Sequence, residues 1–245
     1  MKEIHKQLLK HYQQMICFIL FNIMLLGNAS AAIVISPTNV FIENSQKSSA
    51  LWLENRGDKP QVMQVRVFKW TQNQGENKLE EQKQVIASPP MINIAPGKMQ
   101  LVRVINTAPV APDQSLFYRI VIDEIPSPQA TKAIDLGVNF RFRYSVPLFV
   151  YGQNIDFKKQ SGEKLMPNLS WQTVVEKNKY YLEIYNNNNV HVHLEQININ
   201  DQKASLATPY ILPNNHVRLP LPNNLKSVAK VNVTLDSKDY LVRKH

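Results

Sequence analysis

The chain has 245 residues, 28 Lys and Arg against 19 Asp and Glu, and one cysteine. A formal charge of +9 raises nucleic acid or an anionic membrane as partners. The cations are scattered, however, with no run of five, no basic helix and no zinc-finger or RRM-like signature, so a solvated basic surface is expected and nucleic-acid binding is set aside.

Residues 1–31 read as a secretory signal peptide. Lys2, Lys6 and Lys10 make a basic start, "MICFILFNIMLLG" an apolar core, and "NASAA" offers small residues for a cut after Ala31. The apolar run is short for a membrane span, and no later run approaches the ~18 residues a span needs. The expectation is an exported, periplasmic protein without stable membrane insertion. Removing residues 1–31 takes away three Lys and one Glu, leaving 25 basic and 18 acidic residues, and it also removes Cys17. A mature chain without cysteine must hold its cores by burial alone.

Short alternating runs follow: "AIVIS", "NVFIE", "SALWLEN", "QVMQVRVFKW", "QLVRVIN" and "LFYRIVIDEI". Turn chemistry separates them, as in "NRGDKP", "TQNQGEN", "SPP", "APGK" and "APVAPD". No window of the mature chain sustains a 3.6-residue period with caps at both ends. The reading is all-β, of the sandwich kind. After Val150 the pattern pauses at the polar "YGQNIDFKKQSGEKLMPN", then resumes in "LSWQTVVEK", "YYLEIYN", "VHVHLEQININ", "HVRLPL" and "AKVNVTLD". Two sandwich domains are therefore expected, over residues 32–150 and 151–245, facing each other across a cleft.

Catalytic signatures are missing from the sequence: no G-x-S-x-G, no phosphate-cradling glycine loop, no H-E-x-x-H and no mature thiol. His191 and His193 would share one face of a strand, a spacing metal sites use, with His216 or a carboxylate as the third ligand. The simpler reading is two polar residues on a solvated strand face, with no metal and no cofactor. Asp123 and Glu124 point to opposite faces of a strand and cannot serve one substrate; the turn before Pro126 is their expected place.

The most informative stretch is "AIDLGVNFRFRYSVPLFV" (133–150). Every even position from Ile134 to Val150 is apolar or aromatic, and of the odd positions between them only Phe149 is apolar. Strict alternation marks a strand with one buried face, and this one outlasts the usual 5–6 residues several times over.

The order of motifs in the first half resembles the periplasmic chaperones of the chaperone–usher pathway, the PapD-like family. The matching segments are "ISPTNVFIE" (35–43), "LWLENRGDKP" (51–60), "VRVFKWTQNQGEN" (65–77), "IASPPMINIAPGKMQLVRV" (86–104), "SLFYRIVIDEIP" (115–126) and "YSVPLFVYG" (144–152). The "FKWTQ…GE" run and the "SVPLFV" ending look like the archaic branch that serves Csu-type and spore-coat-U-like pili. The resemblance implies two immunoglobulin-like domains in an L- or boomerang-shaped arrangement, no enzymatic activity, and donor-strand complementation of pilus subunits before delivery to an outer-membrane usher. It assigns the donor face to Ile134, Leu136, Val138, Phe140 and Phe142, while Tyr144 to Val150 close the protein's own sheet. The other reading buries the whole run in the protein's own core.

Many family members anchor the subunit's terminal carboxylate with an Arg on the first strand and a Lys on the last. Here those positions fall on Asn39 and near Pro147. A carboxylate needs cationic, forked donors, and the candidates are Arg103, Arg119 and Arg143, with Arg103 and Arg119 preferred as residues of neighbouring strands. Gln114 stands where the family's interdomain salt bridge has its acidic member, and "SPQATKA" is a short F–G connection. An apolar donor face also implies weak self-association when no subunit is bound. Two alternatives are a structural pilus subunit or adhesin, and, further off, a β-sandwich hydrolase or metal protein using His191 and His193.

Overall fold

A computed structural model describes Met15 and residues 33–43, 46–73, 75–126, 141–155, 168–222 and 227–245. The expected signal peptide, apart from Met15, and the donor residues Ile134, Leu136, Val138 and Phe140 lie outside the described residues.

The first half forms β1 (Ile33–Ser36), β2 (Val40–Ile42), β3 (Ser48–Asn55), β4 (Gln61–Asn73), β5 (Glu76–Glu81), β6 (Val85–Ser88), β7 (Met91–Ile94), β8 (Met99–Asn106), β9 (Ser115–Ile125) and β10 (Arg143–Tyr151). One sheet runs β1-β3-β8-β6 and the other β2-β10-β9-β4-β5, with β7 also paired to β4. All pairs are antiparallel except β10 with β2. Alternation dictates what lies between the sheets: Leu51 and Leu53 of β3, Val102 and Val104 of β8, Met63 and Val65 of β4, Ile120 and Ile122 of β9, and Val146, Leu148 and Val150 of β10. Burying each such side chain contributes ~1.5–3 kcal/mol. The loop after β3 is tied down by Asn55, whose buried amide donates to the Lys59 and Ile94 carbonyls, both at 2.8 Å.

The second half forms β11 (Leu169–Glu176), β12 (Lys179–Asn186), β13 (Val192–His193), β14 (Gln196–Ile199), β15 (Gln202–Lys203), β16 (Tyr210–Ile211), β17 (Asn215–Pro220), β18 (Val231–Leu235), β19 (Lys238–Leu241) and β20 (Arg243–Lys244). Its sheets run β17-β12-β11-β20 and β15-β14-β18-β19, with β13 and β16 as a small separate pair. Trp171, Leu182, Ile184, Ile197 and Val233 fill the core between them. Two-residue turns close three of its hairpins, and both residues of each have positive φ: Lys177 and Asn178 (47° and 62°), Asn200 and Asp201 (51° and 64°), Asp236 and Ser237 (46° and 62°). That backbone twist matches the twist of the flanking strands.

Two sandwiches are present, and among the described residues no ladder joins a strand of one to a strand of the other. The reading of "VHVHLEQININ" as one strand does not hold: it divides into β13 and β14, which belong to different sheets. The hairpin partner β5 was missed because "ENKLEE" shows no apolar alternation and is almost wholly exposed.

Candidate functional site

On the six-stranded sheet, the residues that turn away from the core form a second face. It carries Arg66, Phe68, Trp70 and Gln72 from β4, Phe117, Arg119, Val121 and Asp123 from β9, and Arg143, Pro147, Phe149 and Tyr151 from β10. The second sandwich covers one end of it. Trp70, Phe149, Tyr151 and Ile155 make a buried cluster with Val190 and Leu212, against which Phe41, Phe117 and Tyr210 pack.

Arg119 lies at the edge of that cluster. Its guanidinium carbon stands 3.8 Å from the centre of the Trp70 ring and 5.4 Å from that of Tyr210. Burial pulls its pKa below the usual value, with Tyr210 acting in the opposite direction and no carboxylate of the described residues contributing. The guanidinium stays charged at neutral pH. A partly desolvated cation without a counter-ion is costly, and that cost is relieved by whatever anion reaches it.

The aromatic surroundings are held by polar contacts between and within the sandwiches. The Gln72 amide donates to the Tyr210 carbonyl at 2.8 Å, and the Leu212 amide donates to the Gln72 side-chain oxygen at 2.7 Å. The Tyr210 hydroxyl donates to Asn39 Oδ1 at 2.7 Å. Trp70 donates its indole N–H to Asn77 at 2.8 Å. The buried Asn186 amide donates to the Val190 and Ile211 carbonyls at 2.8 and 2.9 Å, fixing two of the segments that meet the first sandwich. His191 stacks on Phe149 with ring centres 3.5 Å apart and shares a hydrogen bond with the Tyr151 hydroxyl. Burial, with the nearby His193, pushes the His191 pKa down to about 3, and burial raises Tyr151.

At the other end of the face, β10 runs into the segment that precedes it. β9 pairs with β10 from Arg143 to Tyr151, but β2 pairs only with Leu148 to Val150. Among the described residues the second edge of Arg143–Pro147 faces no strand. Pro147 stands on that stretch, opposite Arg119. Phe142 continues the even-numbered stripe past the core; it is 51% exposed and stacks on Tyr144 at 6.3 Å.

The candidate residues fall in different places. Arg103 and Arg119 are not on neighbouring strands: Arg103 is on β8, in the opposite sheet, where it is exposed and contacts Ser48 Oγ at 3.4 Å. Arg143 is on the right face but is tied to Asp123, which also binds Arg66 at 2.7 Å. Burial would raise the Asp123 carboxyl, and the two arginines outweigh it and hold it below its usual value. Asp123 and Glu124 are therefore strand residues within β9, not turn residues. His191 is buried, not on a solvated face, and His193 stacks on Tyr210 at 4.1 Å, while His216 stacks on Tyr185 elsewhere. Among the described residues no three His, Cys, Asp or Glu side chains are grouped to hold a metal. Sequence reasoning missed Trp70, Gln72 and Tyr210. The lone odd-phase Phe149 was the available signal that this face is covered.

Fold and face together define a double β-sandwich protein in which, among the described residues, one edge of Arg143–Pro147 faces no strand and Arg119 has no carboxylate partner. Residues 32–156 match the family described as pili and flagellar-assembly chaperone, PapD N-terminal domain. Comparison with curated protein sequences gives no match. Among solved structures, the chain is similar to CsuC of the chaperone–tip adhesion subunit pre-assembly complex from the archaic Csu pili of Acinetobacter baumannii, with 27% identity over 88% of this chain and 100% of that one and a TM-score of 0.73. The fold is also that of the Escherichia coli chaperone DraB (19% identity, 87% and 96% coverage, TM-score 0.63). The same holds for a chain of the Salmonella enterica SafA pilin–SafB chaperone complex (14% identity, 89% and 98% coverage, TM-score 0.62).

The chain belongs to the PapD family of pilus-assembly chaperones, periplasmic proteins of two immunoglobulin-like domains that are not enzymes. This displaces the readings as a pilus subunit, a hydrolase or a metal protein.

Proposed function

We propose that this chaperone is exported by removal of residues 1–31 and captures pilus subunits by donor-strand complementation before passing them to an outer-membrane usher. Residues 32–150 carry the donor strand and residues 151–245 form the second domain. The observation that carries the reading is the edge of β10: among the described residues Arg143–Pro147 pairs on one side only and the apolar stripe reaches exposed Phe142, while in the sequence the same alternation includes Phe140, Val138, Leu136 and Ile134. A subunit strand can add to that edge by main-chain hydrogen bonds while its groove takes the stripe. Arg119, paired opposite Pro147 on the face that turns away from the core and lacking a carboxylate partner among the described residues, is the anchor for the subunit's terminal carboxylate. CsuC and SafB, seen with a tip adhesion subunit and a pilin, support a subunit as the partner.

The test is co-expression with candidate subunits from the same gene neighbourhood, followed by co-purification. Phe142→Asp and Phe140→Asp remain folded and lose the subunit, because an unpaired charge would enter an apolar groove. Arg119→Ala weakens capture about tenfold or more through the lost charge-assisted bonds, and Arg103→Ala leaves it unchanged. Normal yield from both Asp variants overturns the donor assignment.

A further inference from the structure

Asn39 accepts a 2.7 Å hydrogen bond from the hydroxyl of Tyr210, a residue of the second sandwich. The Tyr210 ring meets that of Trp70 edge to face, with centres 6.1 Å apart and planes at 85°. The two rings thus form a right-angled corner, and the Arg119 guanidinium lies in it, over Trp70 at 3.8 Å and over Tyr210 at 5.4 Å. We propose that Trp70 and Tyr210 aim Arg119, with Asn39 holding Tyr210, so that the carboxylate anchor is assembled from both domains and Tyr210 is a positioning residue for capture of the subunit's chain end. This rests on the reading of Arg119 as the anchor.

The physical case is one of preorganisation. A free arginine samples many rotamers and loses that freedom on binding. A guanidinium with one face on an indole and one side closed by a phenol keeps its plane, and its remaining N–H groups are left for a forked acceptor. Tyr210 itself has little freedom. Its carbonyl is bonded to Gln72, its hydroxyl to Asn39, and its ring is stacked on His193 at 4.1 Å. The first sandwich alone would carry Arg119 and Trp70 but only half of the corner. Recognition of a chain-end carboxylate is thereby coupled to the seam between the domains, and a side chain that never touches the carboxylate sets its affinity.

The probe is an N-acetylated octapeptide alternating Val with Thr and Lys, made with a free C-terminal carboxylate and as the C-terminal amide, titrated into the full mature chaperone. Binding is read from amide shifts of Ser145 and neighbours by NMR. Wild type is expected to prefer the acid about tenfold, and Arg119→Ala to lose that preference. Tyr210→Leu is expected to cut it at least about threefold with amide affinity unchanged, a pattern that general loosening of the fold does not produce. Tyr210→Phe and Asn39→Ala, which keep the ring, give smaller cuts and guard against a Leu variant that fails to fold. Full acid preference in all three Tyr210 and Asn39 variants, with Arg119→Ala losing it, overturns the positioning role and leaves the anchor standing. No acid preference in wild type, or preference retained in Arg119→Ala, overturns the anchor and this inference with it.

Discussion

Gln72 and Leu212 meet across the seam between the sandwiches much as strand neighbours do: the Leu212 amide donates to the Gln72 side-chain oxygen at 2.7 Å. The same carboxamide donates to the Tyr210 carbonyl at 2.8 Å, so one buried side chain completes a rung that the backbones do not make. Gln72→Leu keeps the size and orphans both backbone groups. We expect a loss of ~2 kcal/mol or more, with the two sandwiches unfolding in separate transitions in urea. A single transition within about 0.5 kcal/mol of wild type would show that the seam is held elsewhere.

His191 makes stability depend on pH in a definite direction. Burial in the aromatic cluster depresses its folded pKa to about 3, whereas the unfolded value is about 6.5. Between these values the unfolded chain binds the extra proton. The stabilising contribution is therefore complete above about pH 6.5 and is lost progressively as the pH falls toward about 3, by an amount on the order of a few kcal/mol. Carboxylates such as Asp123 add a loss in the same direction below their unfolded values. Urea midpoints between pH 5 and 7.5 report His191 together with His193, also lowered by burial and acting in the same direction, and His191→Phe should reduce the slope there. An unchanged slope would assign the effect to another group.

Gly152 follows β10 where the chain passes the segment before β9. A Cβ built there would lie 2.1 Å from the Ala111 carbonyl oxygen and 2.4 Å from that of Pro112, both backbone atoms that cannot swing away. Gly152→Ala should cost ~2 kcal/mol or more, read by chemical denaturation. A loss below about 0.5 kcal/mol would mean that the loop shifts freely.

The subunit-free chaperone should self-associate weakly through residues 134–142 and the open edge of β10, because exposed apolar strand edges pair with copies of themselves. Exposed Arg141 and Arg143 keep that dimer loose. Sedimentation over a wide concentration range checks this, with added subunit shifting the protein to the heterodimer. A strict monomer at high concentration would point to a strand capped within the same chain.

What the sequence determined by itself was periodic. Alternation from Tyr144 to Val150 specified which side chains face the core, and Val146, Leu148 and Val150 are buried there. Turn chemistry separated most of the strands, and the ordered motifs pointed to the family. These signals are local, because a strand's pleat and a turn's φ angles depend on a few neighbouring residues. The tertiary structure decided which apolar or charged residue has a partner. Phe149 broke the alternation and proved to be fully buried against His191, and Arg103 and Arg119 looked like neighbours until the two sheets placed them apart. Asn39 looked like a lost arginine until Tyr210 reached it. Each of these contacts joins residues far apart in the chain, and one-dimensional periodicity reports that a face is apolar without saying what covers it.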